Sequence, residues 1–178
     1  MKFGIIKERK NPPDRRVVFT PEELVRLQSE HTEAEIKVES SDIRIFSDDQ
    51  YRNLGLNVTA DMSDCDVLFG VKEVPVDALI PNKKYFFFSH TIKKQPYNRK
   101  LLKAILDKNI ELYDHETIVD ATNHRLIGFG RYAGLVGAYN GFRGFGIKYD
   151  LFTLPKAETL NGKEDLIARL KRQTLPNI

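Results

Sequence analysis

Short apolar runs alternate with amphipathic segments along this chain of 178 residues. Six apolar runs are predicted to be β-strands: 2–6, 34–38, 44–46, 66–70, 85–88 and 110–113. The segments between several of these runs carry apolar residues at helical spacing, and this alternation is typical of α/β domains built on a parallel sheet. The pattern therefore predicts an α/β fold.

Two helix starts are marked by capping boxes, in which a side chain before the helix and a side chain in its first turn satisfy each other's backbone N–H groups. In the first box Thr20 is the N-cap, Pro21 occupies the first turn and Glu23 closes the box. The second box covers residues 47–50, and Gly55 is a suitable end for the helix that it opens. Both helices are therefore expected to begin at these residues.

Three further helices are predicted downstream. Pro96 opens one helix, whose apolar face is formed by Leu101, Leu102, Ile105 and Leu106. Residues 133–146 are rich in glycine and alanine, which suits a helix packed closely against another backbone. A final amphipathic helix is expected over residues 162–172, with Leu166, Ile167 and Leu170 on one face.

Polar clusters follow three of the predicted strands. Residues 71–73 come directly after one strand, residues 89–91 after the next and residues 114–116 after a third. In parallel sheets, ligands bind outside the carboxyl ends of the strands. The three clusters are therefore expected to line one cleft.

Composition excludes several classes of protein. Hydrophobic residues make up 41% and charged residues 30% of the chain, as in ordinary globular proteins. The net charge is only +3 and the basic residues are interspersed with acidic ones, which argues against nucleic-acid binding. No apolar run is long enough for a membrane span, and the first residues lack a signal-peptide pattern. A single cysteine, Cys65, excludes an internal disulfide, so a reducing cytoplasm is the expected compartment.

Two apparent ligand motifs are discounted. Residues 128–133 fit the dinucleotide-binding pattern G-x-G-x-x-A, but the preceding run is short and polar, whereas that fingerprint follows a strand. We interpret the motif as a tight turn into a helix. The four histidines show no metal-binding spacing and one cysteine cannot complete a tetrahedral set, so no metal site is predicted.

His90 and Lys72 are the candidates for chemistry on position alone. His90 ends an apolar strand, where it is either a proton-transfer group or a hydrogen-bonded structural residue. Lys72 leaves a buried strand, and its alternative role is a salt bridge at the rim of the cleft with Glu73.

Several segments together carry a family resemblance. They are Gly4–Glu8, Arg16–Pro21, Gly70–Glu73, Phe87–Lys93, Leu112–Glu116, Arg125, Phe129–Gly130 and Ala133–Gly134. The sequence resembles the N-terminal domain of the alanine dehydrogenase and transhydrogenase-like superfamily, and within it the lysine–2-oxoglutarate reductases, the lysine-forming saccharopine dehydrogenases. This resemblance implies a flavodoxin- or Rossmann-like three-layer domain, the substrate-side half of a two-domain dehydrogenase.

The resemblance also implies a domain organisation. Residues 1–146 correspond to the N-terminal catalytic domain, and residues 147–178 to a linker and helix that lead to a nucleotide-binding domain absent from this chain. Residues 175–178 resemble the approach to the first strand of that domain. The cofactor implied is NAD or NADP, bound mainly by the absent domain.

The same resemblance assigns five site residues. Lys72 and His90 match an acid–base pair. Arg16 and Arg125 match residues that hold substrate carboxylates, for which the planar guanidinium is suited. Glu116 matches a carboxylate that tunes the pair, and desolvation of a buried Lys72 would lower its pKa while a nearby Glu116 would oppose that shift.

The implied reaction joins the ε-amine of lysine to 2-oxoglutarate and reduces the resulting imine to saccharopine. The expected partners are therefore a small amino acid and a 2-oxo acid, with neither nucleic acid nor a membrane, and self-association into a homo-oligomer is left open. Two alternatives stay open as well: an alanine dehydrogenase-like enzyme, and a stand-alone small-molecule binding module without catalysis.

Overall fold

In a computed structural model of the protein, residues 1–173 are described. The chain divides into two compact units, Met1–Ile127 and a second one that begins at Gly128. The predicted approach to a further strand at residues 175–178 lies outside the described residues.

The first unit is built on a six-stranded sheet in which every neighbouring pair of strands is parallel. Its strands are β1 (Lys2–Ile5), β2 (Glu35–Glu39), β3 (Asn57–Thr59), β4 (Val67–Phe69), β5 (Lys84–Phe87) and β6 (Glu111–Asp114). The spatial order is β3-β2-β1-β4-β5-β6, the order of a Rossmann-like doubly wound sheet. From β1 the chain adds β2 and β3 on one side, and β4, β5 and β6 then extend the sheet from the other side of β1. The predicted α/β fold with a parallel sheet is confirmed.

Helices and loops cover both faces of this sheet and create three layers. The helices are α1 (Pro21–Glu30), α2 (Asp48–Arg52) and α3 (Arg99–Asp107). One core cluster consists of Ile5, Leu24, Ile36, Val38, Tyr51 and Leu56 and includes residues of α1 and α2. The other cluster includes Leu68, Tyr85, Phe87, Leu101 and Ile105 and lies against α3. Alternation along β4 and β5 explains this division, because successive side chains of a strand point to opposite faces.

Both predicted capping boxes are present. The Thr20 hydroxyl accepts from the N–H of Glu23, whose carboxylate accepts from the N–H of Thr20 at 2.8 Å. Ser47 and Gln50 form the same reciprocal pair at the start of α2. Gly55 follows α2 with a φ of 81°, a left-handed conformation that favours glycine.

One predicted strand was wrong and one observed strand was not predicted. Residues 44–46 form a bend, because the Arg44 side chain turns inward and donates to the backbone oxygens of Glu39 and Phe46 at 2.8 and 2.9 Å. An ion pair between Arg44 and Asp48 completes this buried anchor. The second neighbour of β2, beside β1, is instead β3, whose three residues are too few for a clear apolar pattern.

The helix expected after Pro96 begins with a 3₁₀ turn over Pro96–Asn98, and α3 follows it. Leu101 and Ile105 are buried as predicted, whereas Leu102 and Leu106 are exposed. The helix is only nine residues long and packs one narrow stripe against the sheet.

The second unit contains α4 (Gly130–Lys148) and α5 (Gly162–Lys171) around a small core of Tyr139, Leu154 and Leu166. The predicted face of α5 is confirmed, since Ile167 and Leu170 also pack against this core. The small residues of α4 were predicted to pack closely against another backbone, and this is confirmed at Gly146, where an added Cβ would lie 2.6 Å from the backbone oxygen of Phe152. It does not hold at Gly134, where an added Cβ would meet open space.

The described residues hold neither a membrane-spanning helix nor a metal-binding cluster. Within residues 1–173, no helix combines the length and the apolar character needed to cross a bilayer. The same residues contain no group of three histidine, cysteine, aspartate or glutamate side chains placed to hold a metal ion.

Candidate active site

The five predicted site residues lie in loops that follow four adjacent strands at one edge of the sheet. Arg16 lies in the loop after β1, Lys72 after β4 and His90 after β5, while Glu116 and Arg125 follow β6. Since β1, β4, β5 and β6 are neighbours in this order, the side chains are arranged along the carboxyl ends of the strands in the same order. The predicted convergence of the polar clusters on one edge is confirmed by contacts between them.

His90 is held between two carboxylates. Its Nδ1 lies 2.9 Å from Oε2 of Glu116, and its Nε2 lies 3.8 Å from Oε1 of Glu73. An ionised carboxylate only accepts hydrogen bonds, so the shorter contact places a hydrogen on Nδ1. Nζ of Lys93 lies 3.2 Å from the same nitrogen and then donates to the Glu116 carboxylate instead. Nε2 is then the nitrogen left for a substrate atom, because 3.8 Å is too long for a hydrogen bond.

The backbone at His90 is unusual for a residue with a side chain. Its φ of 56° lies in the left-handed region, at the turn between β5 and a 3₁₀ helix over Thr91–Lys93. Two donors fix its carbonyl oxygen: the side-chain amide of Asn98 at 3.0 Å and the N–H of Lys93 at 3.2 Å. Strained backbone of this kind persists only where the surroundings hold it, and it clusters at functional sites.

Glu116 gathers three cationic or titratable side chains. Besides His90, its carboxylate contacts Nζ of Lys93 at 3.2 Å and the guanidinium of Arg125 at 3.3 Å. Only 8% of the Glu116 side chain is exposed, and burial alone would raise its pKa. Hydrogen bonds from His90 and Lys93 outweigh that effect and hold the pKa below its usual value.

Glu73 forms the other wall beside His90. Its carboxylate pairs with Nζ of Lys10 at 2.9 Å. Burial would raise the pKa of Glu73, but the hydrogen bond from Lys10 and the proximity of His90 lower it overall. The salt bridge considered between Lys72 and Glu73 is therefore replaced by a pair between Lys10 and Glu73.

A buried network supports the turn that carries His90. Asp114, at the end of β6, accepts a short hydrogen bond from the hydroxyl of Ser89 and accepts from the N–H of Glu116 at 2.9 Å. Ser89 is fully buried, and its hydroxyl also accepts from the N–H of Thr91 at 3.1 Å. The Asp114 carboxylate therefore fixes the loops after β5 and β6 relative to each other.

Lys72 lies on the β1 side of His90. It is half-buried rather than buried, which corrects the expectation of a fully desolvated lysine. Its charge contributes to a lowered pKa at Asp14, whose main partner is Arg16. Nε of Arg16 donates to Asp14 at 2.9 Å, so both predicted substrate-binding arginines have a carboxylate on their guanidinium groups.

Glu116, the carboxylate expected to tune the acid–base pair of Lys72 and His90, therefore contacts His90. Glu116 bonds to His90, while the charged groups around Lys72 are those of the loop after β1, including Asp14. Lys72 and His90 are linked through Glu73, the residue next to Lys72.

A dinucleotide does not fit the described residues. In a Rossmann-like sheet the pyrophosphate lies on a glycine-rich turn between β1 and the first helix. Here residues 6–20 contain no glycine, and the Thr20–Glu23 box satisfies N–H groups at the start of α1. At the G-x-G-x-x-A motif, Arg125 makes an isolated bridge with Val119 rather than a strand leading into Gly128.

Sequence reasoning missed several members of this site. Glu8, Asp14 and Lys93 were given no role in the site, although Glu8 lies two residues after the first apolar run and Lys93 lies three residues after His90. A charged residue at the end of a buried strand was the signal used for Lys72, and it would have selected Glu8 as well.

Comparison with known proteins identifies the family to which the chain belongs. The family model described as "Alanine dehydrogenase/PNT, N-terminal domain" matches residues 4–136. The chain belongs to this family. The resemblance stated from sequence is thereby confirmed.

Relatives of the chain include proteins named as a semialdehyde synthase and as a dehydrogenase. "Alpha-aminoadipic semialdehyde synthase" of Arabidopsis thaliana is 36% identical over 80% of this chain and 14% of its own length. "Saccharopine dehydrogenase [NAD(+), L-lysine-forming]" of Yarrowia lipolytica is 25% identical over 90% of this chain and 45% of its own length. The chain thus spans less than half the length of these curated relatives.

A solved structure supports the fold. A chain titled "L-alanine dehydrogenase" superposes with a TM-score of 0.59 over 84% of this chain and 41% of its own, at 20% identity. At that identity the likeness establishes the shared α/β architecture of this family.

Proposed function

We propose that this chain is the substrate-binding, catalytic domain of a nicotinamide-dependent oxidoreductase that condenses lysine with 2-oxoglutarate to form saccharopine. The observation that carries the proposal is the row of side chains along one sheet edge: arginine, lysine, histidine, carboxylate and arginine. Its support from relatives is that two of them are named for saccharopine or aminoadipic semialdehyde chemistry.

The distance along this row suits a substrate with several carboxylates. Arg16 follows β1 and Arg125 follows β6, and three strand spacings separate these strands, about 14 Å in all. Lysine and 2-oxoglutarate joined end to end carry three carboxylates on an extended chain of comparable length. Pyruvate with ammonia carries one carboxylate and would leave one arginine unused.

The proposed chemistry is a set of proton transfers between two groups. The lysine ε-amine forms a C–N bond to the keto carbon of 2-oxoglutarate, and a proton moves from nitrogen to the former keto oxygen. That oxygen then leaves as water after taking a second proton, which gives the protonated imine that a hydride can reduce. A nicotinamide cofactor, NAD or NADP, bound by a domain beyond this chain would supply the hydride.

His90 and Lys72 are proposed to hold and move these protons. Nε2 of His90 carries a lone pair when Nδ1 donates to Glu116, so His90 can take a proton from the incoming amine. Imidazolium formed there lies between the carboxylates of Glu73 and Glu116, which stabilise its charge. Lys72, which precedes Glu73 in the loop after β4, would donate to the departing oxygen.

The two arginines are proposed to bind carboxylates of the substrates. Each contacts a carboxylate side chain, Asp14 at Arg16 and Glu116 at Arg125, and a substrate carboxylate would make the same type of contact. About half of the Arg125 side chain is exposed and accessible to a substrate. Charge-assisted bonds of this kind are typically worth about 1.5–3 kcal/mol.

The test is turnover of lysine plus 2-oxoglutarate by the full-length protein with both reduced cofactors. Lys72→Met and His90→Gln should each lower kcat by roughly 10²–10⁴-fold, the usual contribution of general acid–base catalysis. Lys84→Met is the matched control, since Lys84 begins β5 at the opposite end of the sheet and pairs with exposed Glu111. Near-normal turnover in both single variants would refute the assignment.

The same assay separates the two dehydrogenase hypotheses. Arg125→Ala should raise the KM for 2-oxoglutarate by roughly 10–150-fold and that of a monocarboxylate 2-oxo acid less. An intact enzyme that prefers pyruvate with ammonia would contradict the saccharopine assignment and favour an alanine dehydrogenase-like reaction. Absence of any turnover with either pair would favour a binding module.

The partners implied by this function are small molecules, an amino acid and a 2-oxo acid, in the cytoplasm. Neither nucleic acid nor a membrane has a part in the proposed reaction. A homo-oligomer is compatible with it.

A further inference from the structure

Glu8 makes an unusual contact with the backbone next to Lys72. Glu8 is 7% exposed and lies in the loop after β1. Its Oε1 accepts from the N–H of Val71 at 2.7 Å, and its Oε2 accepts from the N–H of Lys72 at 2.8 Å. One carboxylate thus satisfies two successive backbone donors at the end of β4.

His115 holds the preceding residue from the other side. It is 5% exposed, lies after β6, and its Nε2 is 3.1 Å from the carbonyl oxygen of Gly70. Because a carbonyl oxygen only accepts, Nε2 carries the hydrogen. Nδ1 has no hydrogen-bond partner among residues 1–173, and burial lowers the pKa of His115, both of which favour the neutral ring.

These two side chains hold three consecutive backbone groups: the C=O of Gly70, the N–H of Val71 and the N–H of Lys72. Gly70 allows this close packing, since an added Cβ would lie 3.1 Å from Ile6 and 3.6 Å from Oε1 of Glu8. Glu8 lies more than 40 positions before these backbone groups and His115 more than 40 positions after them, so the contacts are not part of a local turn.

An aromatic contact holds the ring of His115 in place. It packs edge-on against Phe88, with 5.0 Å between ring centroids. Phe88 in turn stacks with His90 at 6.3 Å, and the N–H of Phe88 donates to the carbonyl oxygen of Val71 at 3.0 Å. The backbone of Lys72 and the ring of His90 are therefore supported by the same set of contacts.

We propose that Glu8 and His115 are positioning residues that together fix the backbone of Lys72 relative to His90. The proposal rests on the proposed function, since it assumes that Lys72 takes part in proton transfer. Neither residue needs to touch the substrate. Misplacement of a catalytic group by about 1 Å can cost about 10²-fold in rate, so a fixed backbone at this point is directly relevant to turnover.

The first test measures the backbone directly by amide hydrogen exchange of the full chain. Glu8→Gln removes one acceptor oxygen, and the amides of Val71 and Lys72 should exchange about tenfold faster. Asp66→Asn is the control, because Asp66 also accepts from a backbone N–H 64 positions away, that of Lys2 at 2.8 Å, but at the opposite end of the sheet. Unchanged exchange at Val71 and Lys72 in Glu8→Gln would overturn the proposal.

The second test measures kcat and KM in the full-length protein. His115→Phe keeps an aromatic ring against Phe88 and exchanges one neutral side chain for another, so it removes only the hydrogen bond to Gly70. We expect kcat to fall by about 10–100-fold with KM within about threefold, and His115→Gln, which restores a donor, to recover most of the loss. Asp66→Asn should stay within about twofold of the parent.

The outcomes for the two proposals differ. If Lys72→Met is inactive while His115→Phe and Glu8→Gln keep normal kcat, the positioning role is wrong and the proposed function stands. If Lys72→Met itself keeps normal turnover, the proposed function fails and the positioning role fails with it. Loss of activity in His115→Phe without recovery in His115→Gln indicates a packing effect and also overturns the role of the hydrogen bond.

Discussion

Replacement of Glu116 by glutamine should destabilise the first unit in a pH-dependent way. The Glu116 carboxylate is 8% exposed and contacts His90, Lys93 and Arg125 at 2.9, 3.2 and 3.3 Å. Glutamine has nearly the same shape and can still accept from Nδ1 of His90, but it carries no charge. The variant therefore isolates the electrostatic part of the interaction.

The magnitude follows from the exposure of the partners. Removing one member of a fully buried ion pair costs about 3–5 kcal/mol, whereas an exposed pair contributes about 0.2–1 kcal/mol. Lys93 and Arg125 have 48% and 51% of their side chains exposed, so solvent screens both of them, while His90 is more enclosed at 20%. We expect a loss of about 2 kcal/mol at pH 7, between these two limits.

The sign of the pH dependence follows from the pKa of Glu116. That pKa is lower in the folded protein than the ordinary value of 4.5, so the stabilisation is complete above pH 4.5. It is lost as the pH falls through the folded-state pKa, because the unfolded chain binds the proton first. The free-energy difference between the parent and Glu116→Gln should therefore shrink below pH 4.5.

Urea denaturation followed by circular dichroism at pH 7, 5 and 4 measures this difference. Glu111→Gln is the control, because Glu111 precedes the same loop but is 60% exposed and pairs with Lys84 at 3.5 Å. Its free energy of unfolding should stay within about 0.5 kcal/mol of the parent. A Glu116→Gln loss no larger than that of the control, or one that is unchanged at acid pH, would refute the electrostatic account.

Two further predictions concern stability. Burial lowers the pKa of His115, so between pH 6.5 and its folded-state pKa the unfolded chain binds more protons than the folded one. The free energy of unfolding therefore falls as the pH falls through this range. His115→Gln should remove up to about 1.4 kcal/mol per pH unit of that slope, measured by urea denaturation across the same range. Thr20→Ala removes the N-cap of α1 and should lower the free energy of unfolding by about 1 kcal/mol. No effect is expected from Thr32→Ala, in the exposed turn that follows α1, and equal urea midpoints for the two variants would contradict the capping assignment.

Several features of this protein were accessible from sequence because they depend on neighbours in the chain. The capping box at Thr20 needs only residues three positions apart, and the apolar face of α5 follows from helical spacing. The convergence of the three strand-end clusters also followed, since all parallel strands present their carboxyl ends at one edge. For these features, local periodicity and one general rule of topology were sufficient.

Other features were decided by tertiary contacts that no local pattern encodes. Residues 44–46 have the composition of a strand, yet buried hydrogen bonds from Arg44 hold them in a bend. Glu116 was expected to tune both members of the acid–base pair, but the sheet places it beside His90 and brings Asp14 and Glu8 towards Lys72.

The distinction is one of sequence separation. Glu8 reaches the backbone of Lys72 across 64 positions, and His115 reaches Gly70 across 45. Such contacts exist only after the sheet has aligned β1, β4 and β6, because loop entropy leaves distant polar groups apart until the core is formed. Residue types at the strand ends therefore specified which chemistry is present, while the packing of the sheet determined which of those groups touch.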